Sequence, residues 1–396
     1  MYIHFQNTIT ISMPKFLGLQ PNITLVILYF FANIFYLIKY GARQEYIPVY
    51  ILIALYLVIG LVALRVVKYF ESKINKSRYF NTLFLSFGLL IFFALVILVL
   101  NVDESSLKVL RWKGMYTTIS HVLEGNYPYT TFLDAKGDTT SNLPALFYIG
   151  LPFYLLGDVG LLQPFVFLLL FVVVYKSNLT NYIKVLMISL LVFSPAFLWE
   201  VAAKSDLMSN MVLVSLFILW WKSKWKNDMF KKPVLLSFFI AFFLLTRLFV
   251  VIPFVILFFS SFFKIEMKKK LWFIVGLLFF LGLISLPVLI TIPDLDTAIK
   301  FNPLNNQTGE APWYLSILFL SLSVIFSYVH SSLNQFFKLF LLLTFFLVLS
   351  RFFINVIEEG WQQNMFGSLF DISYFGLIIP LVLFSIFTEE KNTMHA

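Results

Sequence analysis

Cysteine is absent from the 396-residue chain, which removes disulfides, thiol nucleophiles and cysteine-held metals from consideration. Charge is scarce too: Asp, Glu, Lys and Arg make up 12% of the residues, about half the share a water-soluble domain carries. There is no Gly-rich phosphate loop and no nucleotide-binding domain, so a soluble nucleotide-sugar is not an expected substrate. No Ser–His–Asp or Cys–His arrangement stands out, and His121 and His330 are single, without His-x-x-x-His spacing, so no zinc site is expected. Long linkers, low-complexity tracts and internal repeats are missing, which weakens an inverted-repeat transporter reading. Residues 1–21 are mixed and polar, so no cleavable leader is expected.

What the chain does have is long apolar runs. Hydrophobic residues account for 60% of it, 49 of them Phe, and the mean hydropathy is +0.89. The run 82–100 contains no charge at all. A hydrocarbon layer about 30 Å thick needs about 20 helical residues to cross it, so such runs read as transmembrane helices. They do not alternate in polarity, which excludes a barrel. Twelve spans are expected, near 22–39, 47–65, 82–100, 161–175, 185–199, 207–221, 233–246, 249–263, 271–292, 312–329, 335–355 and 369–388. The fold class is therefore an all-α polytopic membrane protein of about twelve transmembrane helices, with a structured outer loop carrying juxtamembrane helices. It divides into two N-terminal spans and a basic loop (1–81), a core with the outer loop 101–160 (82–263), and C-terminal spans (264–396).

Basic clusters in short loops mark the cytoplasmic side. Arg65 to Arg78, Lys222 to Lys232 and Lys264 to Lys270 are three such clusters. They fall on one side only if the apolar stretch 143–156 does not cross, and Pro144 and Pro152 agree with a short, broken helix lying in the interface. Both termini are then cytoplasmic, with 19 of the 29 basic and 5 of the 20 acidic residues inside. The net charge of +9 is thus mainly a topology signal, and nucleic acid is not an expected partner. Membrane lipids are.

The outer loop 101–142 is the most informative polar stretch. It opens on Asn101-Val102-Asp103-Glu104, runs through an amphipathic segment with Lys108, Arg111, Lys113 and His121, and closes on Gly125-Asn126-Tyr127-Pro128-Tyr129. A second cluster, Glu200 to Asp206 with Lys204, is inserted tightly between two apolar runs, where charge is expensive. Arg247 stands alone at a predicted outer turn. Lys204 is suited to hold a phosphate as a compact cation, Asp206 to orient an acceptor or a metal, and Arg247 to grip a lipid-linked phosphate with paired N–H donors. Blander readings stay open: Asp103 and Glu104 as helix caps, a mutual Lys204–Asp206 ion pair, Arg247 as an interface anchor. Gln307 and Glu310 in the loop 293–311 are weaker candidates, as are Arg351, Glu358, Glu359, Trp361 and Asp371 near the C-terminus.

An acid just after an early span, a helical loop, G-x-x-P-Y at Gly125 to Tyr129, then Leu143-Pro144 and an apolar segment ending in Leu156-Gly157: this order, over residues 100–250, resembles the GT-C class of integral-membrane glycosyltransferases. The resemblance implies transfer of a sugar, such as mannose, from a polyprenyl-phosphate donor to a lipid or glycan acceptor on the extracytoplasmic face. It implies Asp103 as general base with Asp206 assisting, and Lys204, Arg247 and Arg111 at the donor phosphate. Glu104, Tyr127, Tyr129, Gln307 and Glu310 would line the sugar and acceptor. No cofactor is assigned, and a divalent metal bridging carboxylate and phosphate stays open. The rival classes are an O-antigen polymerase- or ligase-like enzyme, disfavoured because the large loop is early and acid-led, and a transporter or lipid flippase, disfavoured because the charges sit at span ends.

Overall fold

In a hydrocarbon layer each backbone N–H and C=O must be paired within its own segment, so the apolar runs fold as helices. The computed structural model describes residues 23–107, 109–134, 137–309, 311–367 and 369–393. The N-terminal 22 residues, where no cleavable leader is expected, and Glu310 lie outside them. The chain forms α1 (Ile23–Gly41), α2 (Val49–Tyr69), the short α3 (Glu71–Lys76) and α4 (Phe80–Asn101). Two loop helices follow, α5 (Arg111–Leu123) and α6 (Ala145–Leu155). Next come α7 (Leu162–Lys176), α8 (Asn181–Val192), α9 (Pro195–Ala202), α10 (Leu207–Lys224), α11 (Pro233–Leu244), α12 (Val251–Lys264) and α13 (Met267–Leu289). The C-terminal part holds α14 (Leu295–Lys300), α15 (Pro303–Gly309), α16 (Trp313–Val329), α17 (Leu333–Glu359), α18 (Trp361–Met365) and α19 (Ile378–Thr393). Among the described residues the only β-pairing is an isolated Phe132–Thr139 bridge.

The protein is an all-α, multi-spanning membrane protein. Among the described residues seven helices are long and apolar enough to cross a bilayer, and the number is nine if two bent pairs each count as one span. The twelve expected positions are all helical, but not all span by themselves. α11 has 12 residues and α12 has 14, about 18 and 21 Å at 1.5 Å per residue. α10 is long enough, but Ser209, Asn210 and its lysines dilute its hydropathy. The expected span 185–199 is bent by 56° between α8 and α9. Ser194 starts α9 by accepting from Phe197 N at 3.2 Å, with Pro195 next to it. The segment 143–156 becomes α6, only 11 residues with Pro152 inside it.

Helices in lipid gain nothing from escaping water against one another; close packing and polar links join them instead. Gly88 of α4 lies against the Phe171 ring of α7, and that ring stacks with Phe84 and Tyr175. Asn33, fully buried in α1, accepts from Ser194 Oγ at 2.6 Å and Ala196 N at 3.1 Å, which ties α1 to the α8–α9 bend. α2 is the opposite case. Leu64 is its one buried residue, so most of its apolar surface is left unpacked by the rest of the described protein.

Contacts sort the loops into two ends. Asn75 accepts from Tyr182 N at 2.8 Å, Asp228 pairs with Lys269 at 2.7 Å, and Lys338 with Glu389 at 3.2 Å. These belong to the end with the three basic clusters. At the other end Arg43 donates to the Leu107 carbonyl at 2.7 Å, Lys39 to that of Phe370 at 2.9 Å, and Gln307 to that of Ser141 at 2.6 Å. α11 and α12 fold back on each other, with the Phe243 and Phe254 rings 6.3 Å apart, so the turn between them carries Arg247 to this second end.

Candidate functional site

The site is built around the corner joining α9 to α10. α9 ends with Lys204 N bonded to the Val201 carbonyl (3.1 Å) and Ser205 N to the Glu200 carbonyl (2.9 Å). This is a Schellman ending whose left-handed position is usually Gly. Here it is Lys204, at φ 52°, a conformation that costs a side-chain-bearing residue about 1–2 kcal/mol. The surroundings hold it there. Lys204 Nζ meets Asp158 Oδ2 at 2.6 Å, and Asp158 Oδ1 accepts from Gly160 N at 2.7 Å. Gly160 gives the lysine stem its room, since a Cβ there would stand 2.6 Å from Lys204 Cγ and 2.9 Å from Val99 Cγ1.

Two residues on, Asp206 takes a different cation. Arg247 donates Nε to Asp206 Oδ2 at 3.0 Å and Nη2 to Oδ1 at 2.6 Å, a bidentate pair with both residues buried. The same guanidinium reaches Ser141 Oγ at 3.2 Å and Asn142 Oδ1 at 3.1 Å. Burial pushes the Asp206 carboxyl up, but the Arg247 charge and its hydrogen bonds outweigh it and hold the group below the usual range. Around this clamp, Gln307 donates to the Ser141 carbonyl and accepts from Leu248 N at 2.8 Å, and Tyr129 donates to the Asn142 carbonyl at 2.7 Å. Residues 141–142 of the outer loop, the α11–α12 turn and α15 are thereby fastened together.

A third ion pair closes the other flank. Arg111, the first residue of α5, pairs with Asp371 and lies 5.6 Å from the Tyr374 ring centre. Burial raises the Asp371 carboxyl, but Arg111 and the Ser373 hydrogen bonds dominate and bring it down to about 2. Glu200, 1% exposed, accepts from the Tyr36 hydroxyl at 3.1 Å and feels the charges of both Arg111 and Asp371.

Four of the expected site residues meet in these pairs: Lys204, Asp206, Arg247 and Arg111. The Lys204–Asp206 pair does not form, because the left-handed turn sends the two side chains to Asp158 and Arg247. Arg247 is no isolated anchor. Asp103 lies at the same end, exposed where α4 stops, its carbonyl accepting from Ser106 Oγ at 2.6 Å. It stands one helical turn beyond Val99, which packs on Gly160 beside Lys204. Glu104 follows in a 3-10 turn, and its side chain lies outside the described residues, as does Glu310. Tyr127 and Tyr129 are 7% and 2% exposed, packed against Val288. Gln307 is a tie between loops.

Asp158 was not among the expected residues, although the positive φ of the preceding Gly157 (100°) marks a turn there. Asp371 was expected only in a loose C-terminal group, with no sign that Arg111 would be its partner. Among the described residues no three His, Asp or Glu side chains converge as metal ligands. No protein-family model, curated protein or solved structure matches the chain.

Proposed function

We propose that the protein is a membrane glycosyltransferase that moves a sugar, such as a hexose of the mannose kind, from a polyprenyl-phosphate carrier to a lipid or glycan acceptor on the extracytoplasmic face. The proposal takes all twelve helical segments as crossings, with the basic clusters and both termini on the cytoplasmic side. One observation carries it. Asp103 leaves α4 at the same end of the protein as three cation–carboxylate pairs, Lys204–Asp158, Arg247–Asp206 and Arg111–Asp371.

In this reading the Asp103 carboxylate takes the proton of the acceptor hydroxyl as its oxygen bonds to the anomeric carbon. The bond from that carbon to the carrier phosphate breaks, and its electron pair leaves on the phosphate. The cationic side of the pairs stabilises the charge that gathers there. Lys204, Arg247 and Arg111 supply it, while Asp206 orients Arg247 and the acceptor side. In the same reading Glu104, Tyr127, Tyr129, Gln307 and Glu310 line the sugar and the acceptor.

The test uses membranes containing the full chain, a labelled polyprenyl-phosphate-hexose and a panel of lipid and glycan acceptors. Asp103→Asn is expected to abolish transfer while the protein stays folded in the membrane. Undiminished transfer by that variant removes Asp103 from the mechanism.

A further inference from the structure

Beneath the α9–α10 corner a small cavity opens between α7, α9 and α10. Its polar lining comes from Gln163, Glu200 and Ser209, and its remaining walls are apolar. Glu200 is nearly inaccessible, at 1% exposure. Its Oε1 is met by the Tyr36 hydroxyl, but its Oε2 has no hydrogen-bond donor. Gln163, 3% exposed, donates its amide nitrogen to the Ser205 carbonyl. That bond fixes which way the amide faces and leaves Gln163 Oε1 as a second buried acceptor without a donor.

Two orphaned acceptors beside one void call for a ligand that is all donor or all positive charge. The void has room for about one water-sized body. A single carboxylate sets the charge such a body can carry: a monovalent cation neutralises it, whereas a divalent ion leaves uncompensated charge among apolar walls. Among the described residues Glu200 Oε1 is taken by Tyr36 and Oε2 has no donor. The two other charges acting on it, Arg111 and Asp371, have opposite effects and are paired with each other. Ser205 stands beside the same carboxylate, its hydroxyl near enough to weigh on it electrostatically yet short of a hydrogen bond to Oε2, and its own N–H bonds to the Glu200 carbonyl.

We propose that this cavity binds one sodium-sized monovalent cation through Glu200 Oε2, Gln163 Oε1 and the Ser209 hydroxyl. The occupant joins α7, α9 and α10 at the level of the corner that carries Lys204 and Asp206. It acts on that corner through Ser205, which is bonded to both Gln163 and Glu200. The inference is independent of glycosyl transfer and stands or falls by itself.

The experiment is thermal unfolding of the full chain, purified in detergent, in sodium, potassium and choline chloride at equal ionic strength. A ligand that binds only the folded state raises the midpoint with its concentration. The expected result is a midpoint several degrees higher in sodium than in choline, rising with sodium concentration, and a sodium effect lost in Glu200→Gln and Gln163→Leu. Equal midpoints of the unmodified chain in all three salts overturn the proposal, whether or not either variant folds. So does a sodium effect that survives both substitutions. A midpoint that responds to pH and to none of the cations assigns the void to water beside a protonated Glu200 and overturns it as well.

Discussion

Arg247 and Asp206, 41 residues apart in the chain, meet through two parallel hydrogen bonds of 3.0 and 2.6 Å. Neither residue reaches solvent to any extent. The remaining guanidinium contacts go to Ser141 and Asn142, so one side chain fixes the α9–α10 corner and the end of the outer loop at once. Such a pair is valued less for its net energy than for the penalty of breaking it on one side.

Arg247→Ala should therefore lower the unfolding free energy by about 3–5 kcal/mol, because it strands a buried carboxylate. Arg247→Lys should recover only part of this, since a lysine cannot copy the two-pronged geometry. The double replacement Arg247→Met with Asp206→Leu should be milder than Arg247→Ala alone. Unfolding in detergent, analysed as a double-mutant cycle, measures the coupling. A double replacement as damaging as the sum of the single ones shows that the two residues act separately.

Gly88→Ala tests the α4–α7 contact. The added methyl runs into the Phe171 ring, which cannot swing aside because Phe84 and Tyr175 stack on it. Overpacking of this kind costs about 1–3 kcal/mol. Adding Phe171→Leu should restore most of the lost unfolding temperature.

Asn33→Ala removes the acceptor that serves both Ser194 Oγ and Ala196 N at the bend between α8 and α9. Each unmet buried group costs about 1–3 kcal/mol. The expected outcome is faster amide hydrogen exchange across 193–199, with exchange in α17 unchanged. If exchange there stays at the parent rate, the bend is held by something other than Asn33.

The Asp371–Arg111 pair sets an acid limit. The folded Asp371 carboxyl sits at about 2, below the ordinary value of about 3.9. Its contribution is thus complete above pH ~4 and is lost as the pH falls through about 2. Arg111→Gln should move the carboxylate infrared band of Asp371 to titrate at higher pH. An unshifted titration separates Asp371 from Arg111.

The spans were legible because an uninterrupted apolar run has few alternatives in a membrane protein. Pro144 and Pro152 likewise announced that 143–156 would stay short. What the runs concealed was length. α11 and α12 read as full spans because the residues flanking them are apolar too, yet Leu245, Thr246 and Arg247 go into the turn. The ion pairs were legible as residues and illegible as partners. Lys204 and Asp206 are two apart and look mutual, but the left-handed backbone at Lys204 turns one toward α7 and the other toward α11. Asp158, 46 residues before Lys204, and Asp371, 260 residues after Arg111, carry no local mark of their destinations. Arg247 was marked by its isolation alone.

The shortness of α11 and α12 bears on how the protein is made. A helix about 18 Å long falls short of ~30 Å of hydrocarbon, so on the proposed topology α11 crosses only with α12 packed against it and the bilayer thinned around the pair. On the proposed topology the two enter the bilayer together as a hairpin, with Arg247 at its tip. Carrying a bare guanidinium across costs on the order of 2.5–3.5 kcal/mol on insertion scales. Asp206 precedes Arg247 in the chain, and on that topology its countercharge is already at the end the arginine must reach. The order of the two residues along the chain thus gives the arginine a receiving partner, and α13, which packs along α11 through Gly276 and Ser237, seals the hairpin afterwards.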